Sequence, residues 1–401
     1  MSKIPDTVHQ DTLSARYAVD CDEAHGAVIP PLYMSSNFSF EGLGEKRKYD
    51  YTRSGNPTRD QLAGALAALE GGAGGVITAS GMSAVHLVTQ LVEPGDLIVA
   101  PHDCYGGCHR LFTAAANKGQ FELEWLPLWE TETSVKQIAV LQPRIVWIET
   151  PSNPLLRITD IEALSKAAHD AGALVVVDNT FLSPAGQRPF ELGADIVLHS
   201  TTKYINGHSD VVGGAVLARD ETLVEELVWW ANCLGLTGSP FDSFQTLRGL
   251  RTLSVRYRQH AENAAAVAEF LDSHERVSKV YFPGLGDHPG HQLAKRQQQS
   301  FGAMISFEID ACDEEIPVFL SALKLFTLAE SLGGVESLVA HPASMTHAAM
   351  SDADQQLAGI SARLLRLSVG IEHVADLLSD LEQGFENLGG LRQQERVRSV
   401  A

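Results

Sequence analysis

Short apolar runs alternate with helical patterns from about residue 70 to residue 218, and this alternation constrains the fold more than any other feature of the chain. Two of the runs, in ALVVVD and ADIVLHS, are apolar at consecutive positions rather than at every second position. Such runs are typical of strands that helices cover on both faces. The alternation therefore predicts an α/β fold with a central, mostly parallel sheet wrapped by helices.

The pattern changes on either side of this region. The first sixty or so residues lack the alternation and are rich in Pro, Gly, Ser and Tyr, which favours an arm over a domain. After a helical stretch around residues 240–275, strand-like and helical patterns continue to a closing helix. We therefore predict an N-terminal arm over residues 1–60, a sheet domain over residues 61–255 and a smaller C-terminal α+β domain over residues 256–401.

Composition and charge exclude several classes of protein. The chain has 50 acidic and 30 basic residues, and its formal net charge of −20 repels the phosphate backbone of nucleic acids. No stretch approaches the roughly 20 consecutive apolar residues of a membrane helix, and the N-terminus lacks the pattern of a signal or transit peptide. We therefore expect a cytoplasmic protein without nucleic-acid or membrane partners.

Cysteine usage argues against disulfides and metals. The chain has five cysteines, an odd number, which favours reduced thiols. Cys104, Cys108 and His109 lie close in sequence, but no second cluster supplies the remaining ligands of a zinc site at a plausible spacing. No metal site is predicted.

Four residues near the ends of predicted strands could take part in chemistry, because such sheets bind ligands at the carboxyl ends of their strands. Gly81 opens a helix, where backbone N–H groups could face a phosphate. Tyr105, in HDCYGG, could stack on a planar ring. Asp178 ends ALVVVD, where a carboxylate needs a cation or hydrogen-bond donors. Lys203 follows ADIVLHS, where burial favours a free amine that can form a Schiff base.

Each of these residues, taken singly, is more often structural than functional. Their order is more informative, because a phosphate-binding turn, an aromatic residue, an acid and a lysine some 25 residues later are the groups that pyridoxal phosphate requires. The sequence therefore predicts pyridoxal 5′-phosphate as the cofactor. An NAD-dependent enzyme is disfavoured, since the nearest glycine pattern, at Gly284, Gly286 and Gly290, has the wrong spacing.

Longer motifs extend this interpretation, among them SGNPTR, ASGMSA, ETPSNP, HSTTKYINGHSD and LLRLSVGIE. On these motifs the chain resembles the Cys/Met-metabolism family of fold-type I pyridoxal-phosphate enzymes, which share the fold of aspartate aminotransferase, from about residue 26 to residue 390. The resemblance implies that residues 61–255 form the cofactor-binding domain. It also implies that Lys203 bonds the cofactor covalently and acts as general base.

The other implied roles divide the cofactor site into a ring end and a phosphate end. At the ring end, Asp178 pairs with the pyridine nitrogen, and Tyr105 stacks on the ring and counts with Lys203 as catalytic. The ring is flanked by Asn153 and Thr180. The phosphate is held by Gly81, Met82, Ser200 and Thr202. Tyr51 and Arg53 arrive from a neighbouring subunit, which implies a homotetramer built from two catalytic dimers.

The resemblance further implies a site for small amino-acid substrates. Arg366 binds the substrate α-carboxylate by the bidentate geometry of its guanidinium group, with help from Ser331. Arg110 is the candidate for the carboxylate of an O-succinyl group. Asp50 and Glu330 are the candidates for contact with a substrate amino group.

The implied activity is a γ-replacement that joins an O-acylhomoserine, with the O-succinyl ester favoured, to cysteine and yields cystathionine. γ-Elimination of cystathionine is the alternative, since it uses the same cofactor residues, and γ-elimination of methionine is less favoured. Ser54 stands where bacterial enzymes of the γ-replacement type have an arginine, so acetyl and phosphoryl esters stay open as donors. A catalytically silent binding protein is disfavoured by the intact set of Lys203, Asp178, Tyr105 and Arg366.

Overall fold

In the computed structural model of the chain, residues 8–348 and 350–400 are described. Their α-helices are α1 (Gln10–Arg16), α2 (Pro57–Glu70), α3 (Gly81–Val88), α4 (Gly106–Asn117), α5 (Thr131–Leu141), α6 (Ile161–Asp170), α7 (Ser183–Gly186), α8 (Glu221–Leu234), α9 (Pro240–Leu250), α10 (Leu253–Ser273), α11 (His291–Gln297), α12 (Ile316–Ala322), α13 (Asp352–Ala358) and α14 (Val374–Val400). Short 3-10 helices lie at Thr89–Leu91, Pro189–Leu192 and Pro342–Ser344.

The strands belong to two sheets. They are β1 (Gly74–Thr78), β2 (Leu97–Pro101), β3 (Glu122–Leu126), β4 (Ile145–Glu149), β5 (Leu174–Asp178), β6 (Ile196–His199), β7 (Gly214–Ala218), β8 (Val277–Tyr281), β9 (Met304–Ile309), β10 (Thr327–Leu328), β11 (Leu338–Ala340) and β12 (Leu364–Ser368). The first seven form one sheet in the order β1-β7-β6-β5-β4-β2-β3, and the other five form a second sheet in the order β10-β11-β12-β9-β8.

The chain divides into two compact units. The first consists of the described residues up to His102 together with Gly107–Thr150 and Thr159–Val255. The second consists of Asp103–Gly106, Pro151–Ile158 and the described residues from Arg256 onward. Two short segments of the sheet region, one at residues 103–106 and one at residues 151–158, therefore belong to the second unit.

The seven-stranded sheet of the first unit is mostly parallel. Its central pairs β2–β4, β4–β5 and β5–β6 are parallel, as is the edge pair β2–β3, and only β7 pairs antiparallel, with β1 and β6. The strands β4, β6 and β7 are buried along their whole lengths, as expected for strands covered on both faces. The predicted α/β fold with a mostly parallel sheet is confirmed.

The second unit packs its sheet around an aromatic cluster. Phe307 on β9, Phe319 on α12 and Phe385 on α14 contact one another, with ring centroids 4.9 to 6.4 Å apart. Gly384 precedes Phe385, and a Cβ at that position would lie 2.8 Å from the Phe319 ring. The glycine therefore lets α14 approach α12 closely enough for the rings to pack.

The first sixty residues contain little regular structure in their described part. Beyond α1 and the start of α2, this segment has two isolated bridges, which pair Asn37 with Tyr51 and Gly42 with Glu45.

Among the helices of the described residues, none combines the length and the apolar character needed to cross a membrane.

Candidate active site

The carboxyl ends of β5 and β6 lie side by side in the first unit, because these strands are adjacent and parallel. Asp178 is the last residue of β5, and Ser200 directly follows β6. Thr180 joins them, since its N–H donates to Asp178 Oδ1 at 3.0 Å and its Oγ1 accepts the Ser200 N–H at 2.9 Å. Three of the predicted cofactor residues are thus brought together at one edge of the sheet.

The environment of Asp178 suits a cationic partner. Removal from water raises the pKa of the Asp178 carboxyl above its ordinary value, although hydrogen bonds from Thr180 and the electrostatic influence of His199 oppose the rise. A positively charged N–H group would restore the stabilisation that water no longer gives to the carboxylate. The protonated ring nitrogen of pyridoxal phosphate is such a group, so the residues present fit the ring end of this cofactor.

The first turn of α3 has the features of an anion site. Ser80 caps the helix through its Oγ, which accepts the Ser83 N–H at 3.1 Å. Among the described residues, no hydrogen bond uses the N–H groups of Gly81 and Met82, which lie at the positive end of the helix dipole. A Cβ at position 81 would lie 2.9 Å from Ser200 Cβ, so glycine is needed for this turn to approach the segment after β6.

Lys203 and Thr202 lie in the turns that follow β6. The Lys203 N–H donates to Ser200 O at 3.2 Å, and its carbonyl accepts the Gly207 N–H at 2.8 Å, which fixes its backbone. The Thr202 hydroxyl donates to Gly213 O at 3.2 Å and accepts the Gly213 N–H at 3.0 Å. These two bonds fix the Thr202 hydroxyl against the backbone of Gly213.

Three predicted residues come together in the second unit. Arg366, on β12, is buried, and its Nη1 donates to Asn153 Oδ1 at 2.8 Å while its Nη2 donates to Ser331 O at 3.0 Å. Both acceptors are neutral oxygens, so neither cancels the charge of the guanidinium group. A buried guanidinium that is oriented in this way is suited to bind a carboxylate.

The segment that carries Tyr105 is anchored by a residue that sequence reasoning missed. Asp103 is buried, and its Oδ2 accepts hydrogen bonds from Ser152 Oγ at 2.8 Å and from Arg157 Nη1 at 3.0 Å. Tyr105 follows two residues later with a side chain that is 43% exposed. The buried ion pair therefore fixes the backbone while the aromatic ring stays accessible.

The predicted residues of the N-terminal segment lie in one exposed turn. Asp50 Oδ1 accepts the Tyr51 N–H at 2.6 Å and the Ser54 hydroxyl at 2.8 Å, and these bonds, with that of Ser54 the larger effect, lower the pKa of Asp50. Arg53 Nη1 donates to Asn232 O at 2.7 Å in the same chain. Tyr51 is half exposed. Ser54 thus helps Asp50 to shape the turn that presents Tyr51 and Arg53.

Two predicted substrate residues have exposed side chains. Arg110 lies on α4, and Glu330 lies two residues after β10. Glu330 directly precedes Ser331, whose carbonyl accepts from Arg366.

A histidine that sequence reasoning did not select lies beside Asn153 in the second unit. His347 Nε2 is 3.2 Å from Asn153 O, and the side chain is buried. Burial, with the charge of Arg366 as the second cause, lowers the pKa of His347 to about 4. His347 is therefore neutral at physiological pH and adds no charge beside Arg366. The motif HPASMTH contains it, but a histidine in a polar loop gave no signal of burial.

We expect the stability of the protein to fall as the pH decreases from 6.5 toward 4, in part through buried histidines. Burial lowers the pKa of His260 and of His347 to about 4, so between that value and the ordinary 6.5 the unfolded chain binds more protons than the folded one. Each of these two histidines should lower the free energy of unfolding by about 1–2 kcal/mol when the pH falls from 7.5 to 5.

Urea unfolding midpoints at a series of pH values test this expectation. A His260→Gln variant should show a shallower pH dependence of the unfolding midpoint than the unaltered chain. Equal pH dependence in both proteins would contradict the assignment.

The sequence as a whole matches one known family. The match covers residues 11–386, and the family is described as Cys/Met metabolism PLP-dependent enzyme. The chain belongs to this family. Because it is a member of the Cys/Met metabolism family, the chain is a pyridoxal-phosphate-dependent enzyme, and the predicted family and cofactor are confirmed.

Relatives within the Cys/Met metabolism family are similar over nearly their whole lengths. The chain is 52% identical to cystathionine gamma-synthase of Escherichia coli (strain K12), with 94% of this chain and 98% of that protein covered. It is 44% identical to cystathionine gamma-lyase of Dictyostelium discoideum, with 91% of this chain and 94% of that protein covered.

A solved structure gives the same result. The crystal structure of cystathionine gamma synthase from Xanthomonas oryzae pv. oryzae in complex with cystathionine is similar to this chain, with a TM-score of 0.94 and 61% identity, and the match covers 96% of this chain and 100% of that one. The likeness confirms the predicted fold-type I class.

Proposed function

We propose that the chain catalyses a γ-replacement, in which L-cysteine displaces the succinyl group of O-succinylhomoserine and cystathionine and succinate are formed. The observation that carries the proposal is the similarity to cystathionine gamma-synthases, at 52% and 61% identity, compared with 44% for a gamma-lyase. The clusters around Asp178 and around Arg366 support it, because they supply the charges that a cofactor and an amino acid need.

The cofactor would be held by residues of the two strand ends and of α3. Its phosphate would accept hydrogen bonds from the N–H groups of Gly81 and Met82, with Ser200 and Thr202 beside them. Its ring nitrogen would face Asp178, and its ring would lie against Tyr105 between Asn153 and Thr180. Lys203 would bond it covalently. When bound, pyridoxal phosphate supplies an electron sink for the negative charge that develops on the substrate carbon atoms.

Proton transfer is the proposed work of Lys203. Once it is released from the cofactor, its ε-amino group would remove the proton from the substrate Cα and then one from Cβ, which lets succinate leave from Cγ. The thiolate of cysteine would then add at Cγ, and the Lys203 amine would return protons to Cβ and Cα, so that cystathionine keeps the protons that the substrate had. Asp178 would keep the ring nitrogen protonated throughout, since a fixed carboxylate stabilises that charge without reorganisation.

Arg366 would orient the substrate through its α-carboxylate. Its contacts with Asn153 and Ser331 leave the fork of donors in one orientation, which is what bidentate binding of a carboxylate requires. Arg110 is the proposed contact for the succinyl carboxylate, and Asp50 and Glu330 are the proposed contacts for a substrate amino group.

The alternative function is γ-elimination of cystathionine. It is favoured by one observation, namely that Ser54 takes the place of an expected arginine and binds Asp50 instead. Loss of one charged hydrogen bond to the acyl group would weaken donor binding about ten- to a hundred-fold. Discrimination between donors therefore requires a direct assay.

That assay follows product formation from each donor. With O-succinylhomoserine and cysteine the purified enzyme should form cystathionine, which mass spectrometry detects, faster than with the acetyl or phosphoryl esters. With cystathionine alone it should release little 2-oxobutyrate and ammonia. Rapid release of 2-oxobutyrate from cystathionine, together with slow cystathionine synthesis from all three esters, would favour the elimination instead.

We also propose a homotetramer of two catalytic dimers, in which Tyr51 and Arg53 act at the site of the neighbouring subunit. A mixing experiment tests the exchange. Arg53→Ala and Lys203→Ala chains should each have low activity alone, but their co-expression should restore about a quarter of normal activity, because half of the dimers are mixed and one of their two sites is intact.

The matched control pairs Lys203→Ala with Asp178→Asn. Both changes affect the same site of a subunit, so no mixed dimer regains an intact site and no activity should return. Absence of restoration with Arg53→Ala as well would contradict the shared site. Location in the cytoplasm stays a prediction.

A further inference from the structure

A buried polar cluster ties together the two strand ends of the cofactor site. Glu70, the last residue of α2, is fully buried, and its Oε1 accepts a hydrogen bond from Asn179 Nδ2 at 2.9 Å and lies 2.7 Å from His199 Nε2. Asn179 directly follows Asp178, and His199 directly precedes Ser200. One carboxylate oxygen therefore connects the backbone segments that carry Asp178 and Ser200.

Gln187 fixes the orientation of Asn179 within this cluster. Its Nε2 donates to Asn179 Oδ1 at 3.1 Å and to Thr150 O at 3.2 Å, and its carbonyl accepts from Asn179 Nδ2 at 2.8 Å. Both ends of the Asn179 amide are thus engaged, so the side chain has one satisfied orientation. The residue next to Asp178 cannot rotate without the loss of several buried hydrogen bonds.

His199 is the direct partner of Glu70 in this cluster. A buried carboxylate without a charged partner is costly. Arg188 also lies near the end of α2, because its Nη2 is 3.0 Å from the place that a Cβ on Gly71 would take. Its Nη1, however, forms an ion pair with Glu191 at 2.5 Å. Glu70 and His199 are both fully buried, and they contact each other directly.

His199 also acts on Asp178. Its electrostatic influence lowers the pKa of the Asp178 carboxyl, against the effect of burial, and Thr180 is the other group that acts in the same direction. On the neighbouring strand β6, His199 directly follows Leu198, which is the register partner of Asp178, and Thr180 donates to Asp178 from the end of β5.

We propose that Glu70 and His199 are positioning residues that hold Asp178, as a carboxylate, against the ring nitrogen of the cofactor. Glu70 acts on the position of Asp178 through Asn179 and, as the direct partner of His199, also on its charge, whereas His199 acts on its charge alone. Neither residue touches the cofactor. The inference rests on the proposed role of Asp178, and it assigns to Glu70 and His199 the task of positioning that carboxylate.

The pH dependence of the visible absorbance of the bound cofactor tests the proposal. A protonated ring nitrogen withdraws electrons and lowers the pKa of the nitrogen that joins the cofactor to Lys203. In His199→Gln the electrostatic influence of the imidazole on Asp178 is lost, so the midpoint of the absorbance change should move to higher pH, by about half a unit or more. Glu70→Gln keeps the size of the side chain and one acceptor oxygen but removes the charge, and it should move the absorbance midpoint in the same direction. This second variant replaces His199→Gln in the test if His199→Gln does not fold.

The first unit offers a matched control at the other ends of the same strands. Asp195 Oδ2 accepts the Val175 N–H at 2.8 Å and lies 2.8 Å from His169 Nε2, so this histidine and carboxylate join the amino ends of β5 and β6. His169→Gln should leave the absorbance midpoint unchanged.

The outcomes are distinct. The proposal would be overturned if the pH midpoint of the absorbance change in His199→Gln and in Glu70→Gln equalled that in His169→Gln. Glu70 and His199 would then have a purely structural role, whatever the thermal stabilities of the variants. If the original chain shows no visible band with pyridoxal phosphate, the proposed cofactor site fails first and this inference fails with it.

Discussion

Replacement of Lys203 by alanine should lower the rate of cystathionine formation at least about 10⁴-fold, because it removes the proposed covalent anchor of the cofactor, which is also the proposed base that moves protons at the substrate. The variant should still bind some pyridoxal phosphate, since the helix start at Gly81 and the carboxylate of Asp178 are intact. Initial rates measured by mass spectrometry of cystathionine, together with the cofactor content after dialysis, check both parts of this expectation.

The control is Lys166→Ala, which removes an exposed lysine of α6 in the same unit. It should have normal turnover and normal cofactor content. Normal turnover in Lys203→Ala itself would end the assignment of this lysine as the base.

The second large effect is expected for Asp178→Asn. An amide has no charge to hold the ring nitrogen protonated, so the electron sink should weaken, and kcat should fall about 10²- to 10³-fold, the size of effect that loss of one preorganised electrostatic contact produces. The pH midpoint of the cofactor absorbance should rise further than in His199→Gln, because in the proposed site Asp178 acts on the ring directly. Kinetics with O-succinylhomoserine and a pH titration of the spectrum measure the two effects.

Asp195→Asn is the matched change for this experiment, since Asp195 is also a carboxylate between β5 and β6 but lies at their amino ends. It should reduce stability without a change in the absorbance midpoint. An Asp178→Asn enzyme with unchanged kcat would contradict the proposed pairing with the ring nitrogen.

Much of the fold could be predicted because the central strands are apolar on both faces. The runs that became β5 and β6 are of this kind, and the alternation of apolar runs with helical patterns along the chain is sufficient to indicate a parallel sheet. The edge strand β3 was not predicted, because its sequence ELEWL alternates between exposed and less exposed positions and lacks a continuous apolar run. The outer strand β8, VSKVY, was missed for the same reason.

The candidate site was predictable where its residues stand at strand ends or in motifs. Asp178, Ser200 and Gly81 were selected on those grounds, and the structure brings them together through Thr180 and through the close approach of α3. The residues that support the site had no such signal. Glu70 is the last residue of a helix and reads as a solvated charge, yet it is fully buried.

Long-range pairing is the physical reason for these omissions. Asp103 meets Arg157, and Glu70 meets His199 across 129 positions of the chain, so neither pair has a local pattern. A buried charge can be recognised only when its partner is known. Sequence patterns identify the residues that are proposed to hold the cofactor, whereas the buried residues that position them are found only in the folded chain.

The most direct test of the account is the chemical identification of the lysine that bonds the cofactor. The purified enzyme is reduced with borohydride in the presence of pyridoxal phosphate and digested, and the peptide that carries the reduced pyridoxyl group is sequenced by mass spectrometry. The account predicts the modification on Lys203, within HSTTKYINGHSD. Modification of another lysine, or of none, would contradict it.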